Sequence, residues 1–571
     1  MYNEEKIWIG RTDDNRKIFI YPKMANRHGM IAGATGTGKT VTLKVLAESF
    51  SDCGVPVFLA DVKGDLAGMC RPGAGSEDMD ERLSRFGLLE EGFNFGSYPT
   101  IFWDLYEKGG LPLRTTITEM GPLLLSRILG LNDTQADILT VVFRIADDKL
   151  REDENMLLID TKDLRSMLLY VTENAKELSL KYGNISSQSL GVITRAVMAL
   201  EAQGADRFFG EPALNIKDWL TVSPDGRGII QLLDCRELIG NPAMYSTFLL
   251  WMLSELYETL PEAGDLEKPR MVFFFDEAHL LFDSASKALM DKIEQVIKLI
   301  RSKGVGIFFI TQSPRDIPDP VLAQLGNKIQ HALHAYTPAE QKAAKAAAMS
   351  FRANPDFDTY EELTQLGIGK ALVSVLDEEG IPTIVEKVSI LPPRSKMGAI
   401  DDEVRRGEIE TCYLNAIYRD SVDRDSAYEF LERMRAELEE ELIRAEEEKA
   451  RIREEEAAQK QKLKEEEAAR RQQEKEEAAA RRAAEREAAR EAAAKAKAEE
   501  AAKKKAEREE AAKKNAVRNA AKGVASSAAG TVGREFGNVL GKTVGGSLGK
   551  KVGGNVGASL GRGIIGTLFK L

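Results

Sequence analysis

Residues 33–40 of this 571-residue chain read GATGTGKT and fit the pattern G-x-x-x-x-G-K-[ST] at every fixed position. An apolar run precedes them, and a helical pattern, VTLKVLAESF, follows them. A loop of this kind lies between a strand and the first turn of a helix, where backbone N–H groups and the helix N-terminus face a phosphate. The segment therefore constrains the fold to a strand–loop–helix unit and predicts nucleotide binding.

Each position of the loop has an expected role. Lys39 reaches the β- and γ-phosphates, and the Thr40 hydroxyl joins the shell of Mg²⁺. The other positions supply backbone N–H groups to the phosphates. The residues expected to bind ATP are Gly33, Ala34, Thr35, Gly36, Thr37, Gly38, Lys39, Thr40 and Val41.

Short apolar runs separated by helical patterns recur through residues 1–400. Such runs are typical of strands covered on both faces, and their alternation with helices predicts a doubly wound, parallel α/β sheet. A long, mostly helical segment separates the first run from the second. We therefore predict an α/β core from residues 1–65 and 270–400, with a mainly helical insertion at 66–269. The runs predicted to be strands are 55–61, 271–276, 305–312, 328–336 and 370–377.

The run MVFFFD ends in Asp276, and Glu277 follows it. A carboxylate at a strand end can hold the Mg²⁺ shell, and a second one can polarise the attacking water. An ordinary helix cap is the alternative, but the phosphate loop favours the catalytic interpretation. The letters DEAH also occur in superfamily-two helicases. The further motifs of those enzymes are not found in this sequence, so we expect His279 to be structural.

Two further side chains are predicted to act on the nucleotide. Gln312 ends the run VGIFFITQ, where it could sense the γ-phosphate, orient the water or simply be a solvated strand end. Arg301 ends a helix just before that run, and it could reach a neighbouring subunit's nucleotide or cap its own helix. Arg315 and Arg352 are further candidates for the arginine that reaches a neighbouring subunit's nucleotide. Asp61, at the end of the first run, is assigned either to magnesium and phosphate sensing or to a turn.

The composition changes after residue 400. Residues 401–424 are predicted to form a connector helix, and residues 425–522 consist largely of Ala, Glu, Lys and Arg. Acid-before-base pairs four residues apart favour a solvated spacer helix there, with an Ala-seamed coiled coil as the alternative. In residues 523–571 a glycine recurs every fourth residue from Gly533 to Gly561. This repeat predicts a close-packed self-association helix or hairpin, with a flexible basic tail as the alternative.

Charge and cysteine usage bear on partners and compartment. The formal net charge is −12, which does not indicate nucleic-acid binding by the whole chain, although a local basic surface or pore could still provide it. The four cysteines form no C-x-x-C pair, and no stretch offers eighteen uninterrupted apolar residues. We expect a reduced, cytoplasmic protein. The basic glycine tail leaves a peripheral membrane contact open.

These motifs resemble those of the HerA-like ATPases, P-loop proteins of the FtsK/HerA superfamily, in the branch labelled helicase HerA-like C-terminal domain proteins. The segments GATGTGKT, DVKGD, FFFDEAHLLFD and IRSKGVGIFFITQSPRDIPDP carry the resemblance, which extends over residues 7–400. It implies a RecA-like core, a hexameric homo-oligomeric ring and ATP-driven action on double-stranded DNA. The family pattern leads us to expect an arginine where this chain has His334. If the family's finger or sensor lies at that place, activation in trans is either weakened in this chain or reassigned to Arg301.

Three functions stay open from the sequence. The first is a ring ATPase that translocates double-stranded DNA, which the family resemblance favours. The second is a membrane- or complex-associated ATPase that acts on protein, as VirB4-like proteins do, which the charged helix and glycine tail favour. The third is a nucleotide-switched scaffold with little turnover, which His334 in place of an arginine would suit.

Overall fold

The computed structural model describes residues 1–3, 5–150, 156–264, 266–282 and 287–511. Its strands are β1 Tyr2–Asn3, β2 Lys6–Thr12, β3 Lys17–Ile20, β4 Gly29–Ala32, β5 Val57–Asp61, β6 Thr100–Asp104, β7 Leu111–Pro112, β8 Ile230–Asp234, β9 Met271–Phe275, β10 Val305–Thr311, β11 Asn327–His331, β12 Lys370–Ser374 and β13 Glu386–Ile390. Its helices are α1 Lys39–Asp52, α2 Glu77–Phe86, α3 Ile117–Ile128, α4 Asp133–Leu150, α5 Thr161–Glu173, α6 Ala175–Tyr182, α7 Ser187–Glu201, α8 Pro242–Thr259, α9 His279–Phe282, α10 Lys287–Ile300, α11 Asp319–Leu322, α12 Pro338–Met349, α13 Thr359–Gln365, α14 Asp402–Thr411, α15 Asn415–Tyr418 and α16 Ala427–Ala511.

The strands form one mixed sheet. Its order is β1-β2-β13-β12-β11-β4-β10-β9-β5-β8-β6-β7, and β3 pairs with β2 beside this path. From β11 through β7 every neighbouring pair is parallel. The strands β12, β13 and β2 continue the sheet antiparallel from β11. The loop after β4 therefore lies within the parallel part, flanked by β10 and β11.

Both faces of the parallel part are covered, which explains the continuous apolar runs. Alternate residues of β9 point to opposite faces: Phe274 packs in the core that includes α1, and Phe273 and Phe275 pack in the core that includes α8. The Phe274 ring lies 6.3 Å from that of Phe50 in α1, measured between ring centroids. Each phenylalanine buried in this way contributes about 2 kcal/mol to folding. The predicted α/β, RecA-like core with a large helical segment is thus confirmed.

Three details of the prediction were wrong. The run at 370–377 forms an antiparallel strand, because coverage on both faces gives an apolar run whatever the strand direction. The strand predicted at 328–336 ends at His331. The helical segment 66–269 also contributes β6 and β8, which extend the parallel sheet beyond β5. The division of the chain into domains stays a prediction.

The C-terminal part of the described chain is helical. The predicted connector consists of the two short helices α14 and α15. Residues Met1–Glu447 form one compact unit. The charged segment is continuous helix as far as Ala511, and its described side chains from residue 448 to 501 are exposed. Coiled-coil pairing stays a prediction. The rest of the charged segment and the glycine repeat at 523–571 lie outside the described residues.

Among the described residues, no helix has both the length and the apolar character that a membrane span needs.

Candidate nucleotide-binding site

The phosphate loop leaves β4 at Ala32 and enters α1 at Lys39. Its start is fixed by hydrogen bonds to both neighbouring strand ends: Gly33 N–H donates to the Thr311 carbonyl at 3.2 Å, and Ala34 N–H donates to the Ala332 carbonyl at 2.8 Å. Gly38 has a φ of 116°, a left-handed conformation in which side chains are strained. These backbone contacts hold the start of the loop between the two strand ends.

The Lys39 side chain folds over this loop. Its ammonium group donates to the carbonyl groups of Gly33 at 2.6 Å and Ala34 at 3.1 Å. Burial lowers the pKa of Lys39, and the negative charge of Asp276 acts against that shift. A partly desolvated cation held by neutral carbonyl groups is well prepared to bind a phosphate, which is a stronger partner.

Four parallel strands of the sheet end in, or are followed directly by, an aspartate: Asp61, Asp104, Asp234 and Asp276. Three of these carboxylates are already engaged. Asp61 and Asp104 accept backbone N–H groups of the turns that follow them, at 2.7 to 3.2 Å. Asp234 pairs with two guanidinium groups at 2.5 and 3.1 Å. Of the two roles considered for Asp61, the structure supports the turn.

Asp276 differs from the other three. Among the described residues, its carboxylate accepts only the N–H of Glu277, at 2.9 Å. The Tyr245 hydroxyl donates to its backbone carbonyl at 2.7 Å and thereby fixes the strand end. Burial raises the pKa of Asp276 to about 6, and the negative charge of Glu277 adds to the rise. The strand thus presents, next to the phosphate loop, a carboxylate for which the described residues supply no ion-pair partner.

Glu277 is strained and incompletely paired. Its φ is 50°, in the left-handed region that costs a glutamate about 1–2 kcal/mol. Its Oε2 atom is buried and has no hydrogen-bond partner within the described chain. The Nδ1 atom of His279 lies 3.5 Å from this oxygen. The ring predicted to be merely structural therefore lies beside the carboxylate. Strained backbone and orphaned polar atoms of this kind are features of functional sites.

A magnesium site would have to be shared with the nucleotide. Within the described residues, no three His, Cys, Asp or Glu side chains come together to hold a metal ion. Thr40, in the first turn of α1, and Asp276 are the candidate ligands. Mg²⁺ commonly binds one or two protein oxygens and completes its shell with water and substrate phosphates. The unpaired carboxylate of Asp276 fits such an ion.

Gln312 and His334 line one cleft with the phosphate loop. The cleft has a volume of about 330 Å³ and is lined by Ala34, Thr35, Gln312, Ser313, Leu333, His334, Glu340 and Ala343. Gln312 follows the last residue of β10 and is exposed. The His334 ring stacks on Tyr336, with ring centroids 5.3 Å apart. The residue that stands where an arginine was expected thus lies on the phosphate-loop side of its own chain.

Arg301 lies at the amino-terminal ends of the parallel strands, opposite the ends where the phosphate loop lies. It begins the short turn Arg301–Lys303 before β10, whereas the phosphate loop lies beyond the carboxyl ends of the strands. The seven residues of β10 separate the two ends by about 20 Å. Arg301 therefore does not reach its own phosphate loop. Of the two further candidates, Arg315 lies beyond β10 on the loop's edge, and Arg352 donates to the Pro382 carbonyl at 3.3 Å.

Lys63 is a site residue that the sequence reasoning missed. It lies exposed in the Asp61 turn, which the neighbouring strand β5 brings beside Asp276. Burial lowers the pKa of Lys39, and the positive charge of Lys63 lowers it further. Burial raises the pKa of Asp276, and the positive charge of Lys63 opposes that rise. The motif DVKGD could have indicated Lys63 as a site residue, because a lysine between Asp61 and Gly64, which form the turn, lies at the tip of that turn.

Comparison with known proteins gives one extensive match and several partial ones. A family model described as helicase HerA-like C-terminal matches residues 6–504. A 125-residue stretch is 31% identical to the protein named "Probable helicase MJECL08" from Methanocaldococcus jannaschii, and it covers 21% of this chain and 22% of that relative.

Solved structures show more distant likeness. The bacterial conjugative coupling protein TrwBdeltaN70 is 14% identical, with a TM-score of 0.45, over 70% of this chain and 91% of that one. VirB4 of Thermoanaerobacter pseudethanolicus is 16% identical, with a TM-score of 0.42, over 71% of this chain and 99% of that one. The family model is the finding that decides, because it spans both the sheet and the phosphate loop. The chain belongs to the helicase HerA-like C-terminal family of P-loop ATPases.

Proposed function

We propose that this protein hydrolyses ATP and works as a hexameric homo-oligomeric ring that translocates double-stranded DNA. The observation that supports hydrolysis is the pair Asp276–Glu277. Within the described residues, it joins a strand-end carboxylate without an ion-pair partner to a strained glutamate whose buried Oε2 atom has no hydrogen-bond partner, beside a preformed phosphate loop. A glutamate with a φ of 50° is strained, and backbone strain is concentrated at functional sites, which favours a catalytic role.

The chain's own residues divide the work as follows. The loop from Gly33 to Val41 binds and orients the triphosphate, and Lys39 exchanges its carbonyl partners for phosphate oxygens. Thr40 and Asp276 hold Mg²⁺, which when bound neutralises charge on the phosphates. Glu277 accepts the proton of the attacking water, and Gln312 orients that water or senses the γ-phosphate.

The ring is proposed from the position of Arg301. An arginine at the amino-terminal ends of the strands, away from its own loop, acts on a nucleotide only if another chain supplies it. In trans, such a residue stabilises charge on the transferred phosphoryl group. We expect Arg301→Ala to lose turnover while keeping nucleotide affinity. The control Arg144→Ala, which replaces an exposed arginine of α4 beside Asp148, should retain turnover. Mixing Arg301→Ala with Glu277→Gln subunits would restore part of the activity. No recovery in mixed rings would contradict a finger role for Arg301.

Double-stranded DNA is the proposed substrate because of family membership and because the partial relative carries the name helicase. The exposed charged helix α16 supports a second candidate, an ATPase that acts on protein in a VirB4-like manner. In that case the segment beyond Glu447, with the basic glycine tail, would meet a partner helix or lie peripherally on a membrane from the cytoplasmic side. A scaffold with little turnover is the third candidate.

One experiment separates these candidates. ATP turnover is measured with and without double-stranded DNA and with anionic liposomes, on the full chain and on a version ending at Glu447, the limit of the compact unit. Stimulation of both versions by DNA supports the translocase. A rate that ignores DNA and responds to liposomes only in the full chain supports the VirB4-like candidate. Nucleotide binding without turnover supports the scaffold. Lys39→Ala is the control that should lose nucleotide binding or turnover.

A further inference from the structure

His331 lies buried at the end of β11 with both ring nitrogens engaged. Its Nε2 atom lies 2.8 Å from the Thr42 hydroxyl in α1, and its Nδ1 atom lies 3.0 Å from the Lys370 carbonyl at the start of β12. A carbonyl only accepts, so Nδ1 carries the hydrogen and Nε2 accepts the hydrogen of Thr42. Burial lowers the pKa of His331 to about 4. The ring is thus neutral, in a single tautomer, at ordinary pH.

The His331 side chain also packs against the phosphate loop. A Cβ atom placed on Gly33 would lie 2.5 Å from the His331 Cβ, and one placed on Gly38 would lie 3.4 Å from its Cε1. Two glycines of the loop therefore pack directly on this side chain. The contact at Gly33 is too close for any other residue.

The third segment at this point is the turn before β12. Gly369 N–H donates to the Thr37 carbonyl at 3.0 Å, and a Cβ placed on Gly38 would lie 3.3 Å from the Gly369 Cα. The next residue, Lys370, supplies the carbonyl that His331 holds. One imidazole thus joins β11, the first turns of α1 and the turn at 369–370 around the loop. None of its polar atoms is left to meet a ligand.

We propose that His331 is a positioning residue that holds the phosphate loop in the shape that binds nucleotide. The hydrogen bond to Thr42 fixes the first turn of α1, on which Lys39 and Thr40 lie. The bond to Lys370 fixes the turn that supports Thr37 and Gly38. This role rests on the proposed nucleotide site and adds to it a residue that does not contact the nucleotide. It acts on the affinity for phosphates rather than on the chemical step.

The test removes one or both hydrogen bonds of His331 and measures the Kd for ATP and ADP by titration calorimetry, together with turnover at saturating ATP. Thr42→Val removes the hydroxyl with almost no change of shape, and His331→Phe removes both bonds. We expect each to raise the Kd for both nucleotides about tenfold, with turnover at saturation little changed. The double variant should weaken binding no more than His331→Phe alone, because both remove the same bond.

Rescue and control variants separate positioning from general damage. His331→Gln keeps an acceptor near the place of Nε2 and should recover most of the affinity. Thr194→Val removes a helical hydroxyl that bonds only the Leu190 carbonyl, at 2.9 Å, and should leave the Kd unchanged. If His331→Phe does not fold, as judged by its thermal unfolding, Thr42→Val and His331→Gln carry the test.

Three results would overturn the proposal. If Thr42→Val binds ATP and ADP as the unaltered chain does, or if the effects of the two substitutions add, His331 does not position the loop, and the proposed ATPase function stands. If the unaltered chain binds no nucleotide, the proposed function fails together with this role.

Discussion

Asp276 and Asp234 end parallel strands of one sheet at the same edge, separated only by β5, yet they are suited to different tasks. Asp234 lies between the guanidinium groups of Arg236 and Arg405, so its charge is neutralised within the fold. Asp276 has no such partner in the described chain and is followed by a strained glutamate. Position at a strand end thus does not make a carboxylate catalytic. A carboxylate without an ion-pair partner keeps its charge for a metal ion, and this is why Asp276 is the proposed magnesium ligand.

The largest effect should come from Glu277, the residue that follows Asp276. Glu277→Gln removes the proposed proton acceptor and should lower ATP turnover by about 10²–10⁴-fold while nucleotide affinity is kept. The matched control is Glu237→Gln near the Asp234 strand end, an exposed residue that pairs with Lys108. This control should turn over ATP at the normal rate. A Glu277→Gln variant with unaltered steady-state turnover would show that Glu277 is not the proton acceptor.

The structural half is tested by Asp234→Ala. It leaves the Arg405 guanidinium buried and without its carboxylate, which should lower the free energy of unfolding by about 3 kcal/mol. Urea unfolding of the variant measures this loss. In the control Asp225→Ala the pair with Arg227 is largely exposed, and the loss should stay below about 1 kcal/mol. Equal losses in the two variants would show that the buried pair contributes no more to the free energy of unfolding than the exposed pair does.

The pH dependence of stability should distinguish Asp276 from an ordinary ion-paired aspartate. Burial raises the pKa of Asp276 from 3.8 to about 6, so the fold favours the protonated form. The contribution of Asp276 is fully present below pH 3.8 and is lost as the pH rises through 6. Asp276→Asn imitates the protonated form. We expect it to raise the free energy of unfolding by about 1–2 kcal/mol at pH 8 and to change little at low pH.

The control for that sign is Asp225→Asn. Hydrogen bonds from Ser223 and Arg227 lower the pKa of Asp225 to about 2, so its stabilising contribution is present at neutral pH and is lost as the pH falls through 2. This variant should therefore lose stability at pH 8, opposite to Asp276→Asn. Unfolding curves recorded at pH 4 and pH 8 check both signs. A loss of stability in Asp276→Asn at pH 8 would mean that the carboxylate has a partner after all.

The smallest expected effect is the release of backbone strain at Glu277. Glu277→Gly should stabilise the fold by about 1 kcal/mol, because glycine adopts a φ of 50° without strain. Its turnover should fall as that of Glu277→Gln does, because both variants lack the same carboxylate. Glu5 has a φ of 62° away from the site, and Glu5→Gly should give a similar gain with normal turnover. Thermal unfolding of both variants makes the comparison. If only Glu5→Gly gains stability, Glu277 is held by contacts that favour its conformation.

Much of the core could be predicted because its signals are local. The phosphate loop carries its own glycine positions, and runs such as MVFFFD show burial on both faces in a few consecutive letters. The same signature occurs in TIFWD and IQLLD, which form β6 and β8 but lie within a segment otherwise dominated by helices. Those strands were missed because the helical pattern around them outweighed two five-residue runs.

By itself the sequence determined the strand–loop–helix unit, the family and the pair Asp276–Glu277 as candidates, since each depends on residues that are adjacent along the chain. Only the tertiary structure decided which strand-end aspartate stays unpaired. The partners of Asp234 include Arg405, 171 residues away, and Thr42 meets His331 across 289 residues. The tertiary structure also placed Arg301 at the amino-terminal ends of the strands, away from its own phosphate loop. Pairing and distance of this kind depend on how the whole sheet is ordered, and no local pattern records that order.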